Sequence, residues 1–206
     1  METLVLHTRR SFAKYAGILG LGSMVTFTTA CPAWLTTVWN DIKEFAPSIL
    51  SAVATVLTIL TGAGVLGLPL AATISNIIAL ISKAIADIQT AVNNYQSAPA
   101  DQKTTVIGVV VTAMVDAEAY IQQFWNDLTI PDPALATTIH NLLGVIVSTL
   151  QGYIDSLGVK PTQTPATLRR ANLPKLIQVP AKRRSLSQFK TAFNGYLDST
   201  YAQHKL

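Results

Sequence analysis

The chain has 206 residues, 50% of them hydrophobic and only 13% charged, with a single cysteine and a formal net charge of +4. This excludes a disordered polyelectrolyte, a collagen-like chain and a disulfide-stapled scaffold, and it excludes the charge-rich surface of a conventional cytosolic enzyme. One domain with an ample core, or a membrane-associated bundle, remains. Charge is partitioned along the chain: residues 32–158 hold three bases against nine acids, a net of −6, whereas residues 159–206 hold nine bases against Asp198, a net of +8. An acidic body and a basic tail are therefore separate physical units.

The first thirty residues read as a targeting segment. Thr8-Arg9-Arg10-Ser11-Phe12-Ala13-Lys14 precedes an uncharged stretch, 15–30, that Gly17, Gly20, Gly22 and several threonines keep only mildly hydrophobic. The heptapeptide resembles the twin-arginine signal family, Ser/Thr-Arg-Arg-x-Phe-Leu-Lys, with Arg9, Arg10, Phe12 and Lys14 at defined positions and Ala13 where leucine is usual. The resemblance implies export from the bacterial cytoplasm and removal of residues 1–30 as a signal peptide. The only cysteine, Cys31, directly follows Thr28-Thr29-Ala30. That junction resembles a bacterial lipoprotein cleavage site, where the thiol is acylated and becomes the new N-terminus. Simple secretion after cleavage at Ala30 fits the same small residues. The expected location is the periplasm or, through a lipid on Cys31, the membrane-anchored cell envelope, and neither route leaves a structural disulfide.

Beyond Cys31, apolar residues recur at helical intervals. Ile74, Ile78, Ile81, Ile85, Ile88 and Val92 form one stripe; Ile107, Val110, Met114, Ala117, Ile121, Phe124 and Leu128 a second; Leu135, Ile139, Leu142, Ile146, Leu150, Tyr153 and Leu157 a third. Steps of three and four place each set on one face of an α-helix. Asp132 is positioned to cap the third stripe with Pro133 at its first turn, Gly158 to end it, and Pro99 with Asp101 to open the second. The stretch from Gly62 to Pro69 separates the first stripe from what precedes it. With no run of strict alternation, residues 31–158 are expected to form an acidic all-α bundle, with four to six amphipathic helices in the whole chain. At an offset of 86, Ala33, Trp39, Asn40, Asp41, Pro47 and Leu57 align with Ala119, Trp125, Asn126, Asp127, Pro133 and Leu143. A helix-pair repeat in this register predicts a helix end at each Trp-Asn-Asp triplet and a new helix at Pro47, as at Pro133.

Residues 45–82 carry no charge, and 133–154 carry only His140 as a candidate. A membrane span needs about twenty predominantly apolar residues. Glycines and Pro69 divide the first run, and Thr, Ser and Asn interrupt the other, so buried bundle helices are the expected reading and a membrane-inserting hairpin over 45–82 the alternative.

Gly62-Ala63-Gly64-Val65-Leu66-Gly67 matches the dinucleotide fingerprint GxGxxG, with Asp87 twenty residues on. That chemistry needs a strand before the glycines and an acid at the end of a second strand. Residues 53–60 could supply the first, but Asp87 lies inside the isoleucine stripe, so a helix–helix turn is expected and a cofactor-binding protein is a further alternative. No metal set is legible: His7 falls in the signal, His204 in the tail, and His140 has no second His or Cys at ligand spacing. Asp41 with Glu44, and Asp116 with Glu118, are acid pairs whose simpler role is a solvated helix face. A non-catalytic protein without cofactor or metal is expected.

In the tail, Pro161, Pro165, Pro174 and Pro180 with Arg169, Arg170 and Lys175 predict an extended, mobile basic linker over 159–184. Leu186, Phe189, Phe193, Leu197 and Tyr201 then recover helical spacing after Ser185, a candidate cap, giving an amphipathic helix over 185–206. Such a helix suits either anionic lipid or the chain's own acidic body, and burial of its apolar face favours the body. Nucleic acid is not an expected partner outside the cytoplasm. Together these readings give an exported, non-catalytic helical bundle with a binding or structural role.

Overall fold

A computed structural model describes residues 33–66, 68–95, 97–159, 164–197 and 199–206. The expected signal peptide with Arg9, Arg10, Phe12 and Lys14, and Cys31, lie outside the described residues. Four long helices come first: α1 Ala33–Gly62, α2 Leu68–Tyr95, α3 Lys103–Asp127 and α4 Pro133–Leu157. Two short ones follow, α5 Pro165–Arg170 and α6 Leu186–Asn194, and then a 3-10 helix, Ser199–His204. The protein is an all-α bundle, with no strand among the described residues.

The stripes explain the packing. Helix α1 lies against α2 and α4, and α3 lies against the same two, which closes a four-helix ring. Short connections make successive helices antiparallel. Near the start of α1, the Trp39 indole accordingly donates to the Val92 carbonyl near the end of α2 at 3.1 Å. Ile74, Ile81, Ile85, Ile88, Val110, Met114, Ile121, Ile139, Leu142 and Ile146 are all buried in one continuous core.

The ends of α4 follow the expected rules. Asp132 accepts from the Ala134 amide at 2.8 Å, and Gly158 closes the helix in the left-handed region, φ 65°. At α3, Gln102 occupies the cap position and makes no side-chain cap bond, so Pro99 and Asp101 precede the helix without capping it.

Pro47 corrects the repeat reading, because α1 runs through it unbroken. A proline inside a helix removes one backbone hydrogen bond and costs about 3 kcal/mol. Pro47 lies exposed while Phe45, Ala46, Ile49, Ala52 and Val53 on both sides are buried, and that burial outweighs the local penalty. The two Trp-Asn-Asp triplets also differ in place, since Trp39 lies near the start of α1 and Trp125 near the end of α3.

The segments Leu35–Gly62, Lys103–Asp127 and Pro133–Leu157 are long and apolar enough to cross a membrane by length and composition. In the bundle their large apolar side chains face inward. The exposed large hydrophobics among the described residues are Leu168 at 55% and Tyr196 at 46%, both outside these helices. Threonines on the outer faces turn back onto their own helices, as Thr58 does to the Ala54 carbonyl at 2.9 Å and Thr137 to Pro133 at 2.8 Å. A surface poor in charge is thereby supplied with satisfied hydroxyls.

The tail departs from the mobile linker expected for 159–184. Helix α5 packs on α3, Ile177 is buried, and α6 packs between α1 and α4. Ser185 caps α6 with a reciprocal bond from Gln188, and Phe189, Phe193 and Leu197 enter the core. The apolar stripe continues past the helix, which ends at Asn194, as a turn and the 3-10 segment.

Candidate functional site

Among the described residues, a dense polar construction forms the seat of this tail on α3 and α4. Gly144, Ser148 and Gly152 recur every four residues along one line of α4, leaving a face with almost no side-chain bulk. Residues 175–184, which have no helical structure of their own, cross it. A Cβ on Gly152 would stand 2.7 Å from Arg183 Cα and nearer still to Arg183 N and Lys182 C. At Gly144 it would meet Val179 Cγ1 at 3.3 Å. The glycines are what let the main chain come down onto the helix.

Polar groups then read that main chain. The buried Gln122 amide donates to the Ile177 carbonyl at 3.0 Å and accepts from the Ile177 amide at 2.7 Å. Asn126 Oδ1 accepts from the Lys175 amide at 3.4 Å, and the Ser148 carbonyl accepts from the Lys182 amide at 2.8 Å. Arg184 donates to Ser148 Oγ at 2.6 Å and Thr149 Oγ1 at 2.8 Å, while the Tyr153 hydroxyl donates to the Arg184 carbonyl. Burial holds the Tyr153 phenol well above its usual range and lowers the Arg184 guanidinium.

Asp116 and Glu118 are not a solvated face. Glu118 is 3% exposed and receives Arg170 at 2.9 Å and the Gln151 amide at 2.9 Å. Asp116 accepts the hydroxyl of Thr164, the residue that caps α5. The two carboxylates therefore hold α5 at its opposite ends. Burial raises the Glu118 carboxyl, with Asp155 adding to the effect and Arg170, Gln151 and Gln122 opposing it. Burial likewise raises Asp116, with Asp87 adding and Thr164 and Lys83 opposing. Each group binds a proton more readily in the folded chain than in the unfolded one, so its contribution favours folding increasingly as pH falls through the folded-state value, and levels off at the ordinary carboxylate range. Urea unfolding of the wild type and Glu118→Gln across that interval should show the wild type gaining stability relative to the variant on acidification. A relative loss would mean that Arg170, rather than burial, dominates at Glu118.

The other candidates do not converge. Asp41 faces Arg183 at 3.9 Å while Glu44 is exposed. His140 lies against Trp125, ring centroids 5.1 Å apart, and His204 belongs to the 3-10 segment. Gly62 ends α1, and Gly64, φ 68°, turns the chain with Val65 N donating to Leu60 O and Gly64 N to Thr61 O, both at 3.0 Å. This is a Schellman termination. Residues 53–60 are helical rather than a strand, and α2 carries Asp87, so the turn lacks the setting that a dinucleotide fingerprint requires.

No protein-family model, curated protein or solved structure matches this chain.

The site is thus characterised by its own residues. Every buried side-chain nitrogen and oxygen among the described residues has a hydrogen-bond partner. No group of three or more His, Cys, Asp or Glu is arranged around a metal position among them. What the arrangement does chemically is bind a polypeptide segment. The sequence signal for it was the four-residue recurrence Gly144, Ser148, Gly152 on an otherwise bulky apolar helix.

Proposed function

We propose that this is an exported, non-catalytic helical-bundle protein, held at the bacterial cell envelope by a lipid on Cys31 and acting there through binding or assembly. The observation that carries the reading is the junction of a twin-arginine-like segment, Arg9 and Arg10 with Phe12 and Lys14, with a lone cysteine at its end. Support comes from the compact unit, which begins at Ala33. Cleavage before Cys31 leaves that unit whole with a two-residue tether. The twin-arginine route carries folded proteins, and a bundle whose tail is seated in its core is suited to that route. Some acids of the body serve the tail: Glu118 and Asp116 hold α5, and Asp41 faces Arg183.

Replacing Arg9 and Arg10 together by lysine should leave the precursor in the cytoplasm, and the exported wild type should show, by intact mass, an acylated chain beginning at Cys31. Normal export of the double variant removes the twin-arginine reading. An unmodified Cys31 terminus leaves simple secretion.

A second reading, insertion into a membrane, is favoured by the three helices of sufficient length and apolarity. Partition of the mature Cys31→Ser chain separates the two: a bundle stays in detergent-free buffer, and a membrane-inserting protein does not.

A further inference from the structure

Residues 175–184 are recognised chiefly through their main chain. Gln122, Asn126 and the Ser148 carbonyl pair with backbone atoms of Ile177, Lys175 and Lys182, over a floor cleared by Gly144 and Gly152. Such bonds are indifferent to which copy of the chain supplies the segment. Side chains then narrow the choice: Ile177 is buried, Arg184 reaches Ser148 and Thr149, and Arg170 must find Glu118. The tail itself is the sequence that meets all of these demands.

Charge points the same way. Two bodies at −6 repel, two tails at +8 repel, and body attracts tail whether or not they share a chain. An emptied seat is not a resting state either. The tail delivers Phe189, Phe193 and Leu197 to the core, so one that leaves must be replaced by its equal.

We propose that the seat on α3 and α4 is a recognition site for residues 175–184 of a second copy, so that two chains assemble by exchanging their tails from Thr164 onward. Exchange preserves every contact described above. It forfeits only the advantage of an intramolecular partner, an effective concentration on the order of millimolar. The assembly needs no lipid, so its test is independent of the anchoring reading.

Mature chains carrying Cys31→Ser provide that test. One preparation receives Gly144→Cys and another Val179→Cys, residues that meet across the seat at 3.3 Å. Concentrated together and then oxidised, they should give a disulfide-linked heterodimer of twice the chain mass. Gly144→Cys with Gln178→Cys, one residue out of register and exposed, should give little. The double variant, both cysteines on one chain, should close an internal bond at monomer mass. An internal bond in the double variant without heterodimer in the mixture overturns the proposal, as does equal cross-linking out of register. A double variant that forms neither bond removes the contact on which the proposal rests. With no cysteine introduced, a mixture of light and isotope-labelled chains should yield a dimer of mixed mass by native mass spectrometry; monomers alone at every concentration overturn exchange.

Discussion

Gly152→Ala should destabilise the protein by about 3 kcal/mol and lift the tail from α4, because the new methyl meets backbone rather than a side chain that can rotate away. Its closest neighbours are Arg183 N, Lys182 C and, at 2.7 Å, Arg183 Cα. Moving them breaks the Lys182 amide bond to Ser148 and withdraws Arg184 from Ser148 and Thr149. Urea unfolding measures the cost. Hydrogen exchange at the Ile177 and Lys182 amides, both donors in the folded chain, reports the release. Gly144→Ala is the control, since its methyl meets side-chain methyls rather than backbone, Val179 Cγ1 at 3.3 Å and Ile177 Cγ2 at 3.7 Å, and should cost less than about 1 kcal/mol. Equal, small effects at the two glycines would mean that the main chain does not descend at Gly152.

Phe189→Ala should cost more, about 3–5 kcal/mol, the range for truncating a buried phenylalanine. Phe189 is fully buried and packs edge-on against Phe45 at 4.8 Å, with Phe193 at 5.9 Å. The loss is a large share of the about 5–15 kcal/mol that stabilises a typical domain, so the midpoint of unfolding should fall steeply and the α6 amides lose protection. Tyr196→Ala, two turns along the same segment but 46% exposed, should change stability by about 0.5 kcal/mol or less. A Phe189→Ala chain as stable as the wild type would place α6 outside the core.

The helices were legible wherever a stripe and its punctuation agreed. Helix α4 had both, from Asp132 and Pro133 to Gly158. In α1 they conflict, and the apolar stripe prevails over Pro47. Leu35, Val38, Ile42, Phe45, Ile49, Ala52 and Val56 keep three- and four-residue steps straight through Pro47, which lies on the opposite, exposed face. The position of a proline relative to the apolar face, not its presence alone, decides whether a helix stops. The neighbours of Glu118 in sequence suggest a solvated face and give no hint of Arg170, 52 residues further on. Long-range pairing of this kind is set by where a non-helical segment lands, and local periodicity does not encode that. The tail shows the same limit: its prolines point to a linker over 159–184 and give no sign of α5 within it, while the seat is recorded on another helix, in the spacing of Gly144, Ser148 and Gly152.

The seating of the tail also fixes when the chain can finish folding. The Thr55 hydroxyl bonds the His204 carbonyl, 149 residues away, and Phe45 waits for Phe189. During synthesis α1 emerges well before α6 and the 3-10 segment that cover it. Until then Phe45 and Tyr153 lack their final cover, and contacts of such long sequence separation form slowly. A chain truncated anywhere before residue 186 therefore carries an unfinished apolar surface, because Phe189, Phe193 and Leu197 are the side chains that close it.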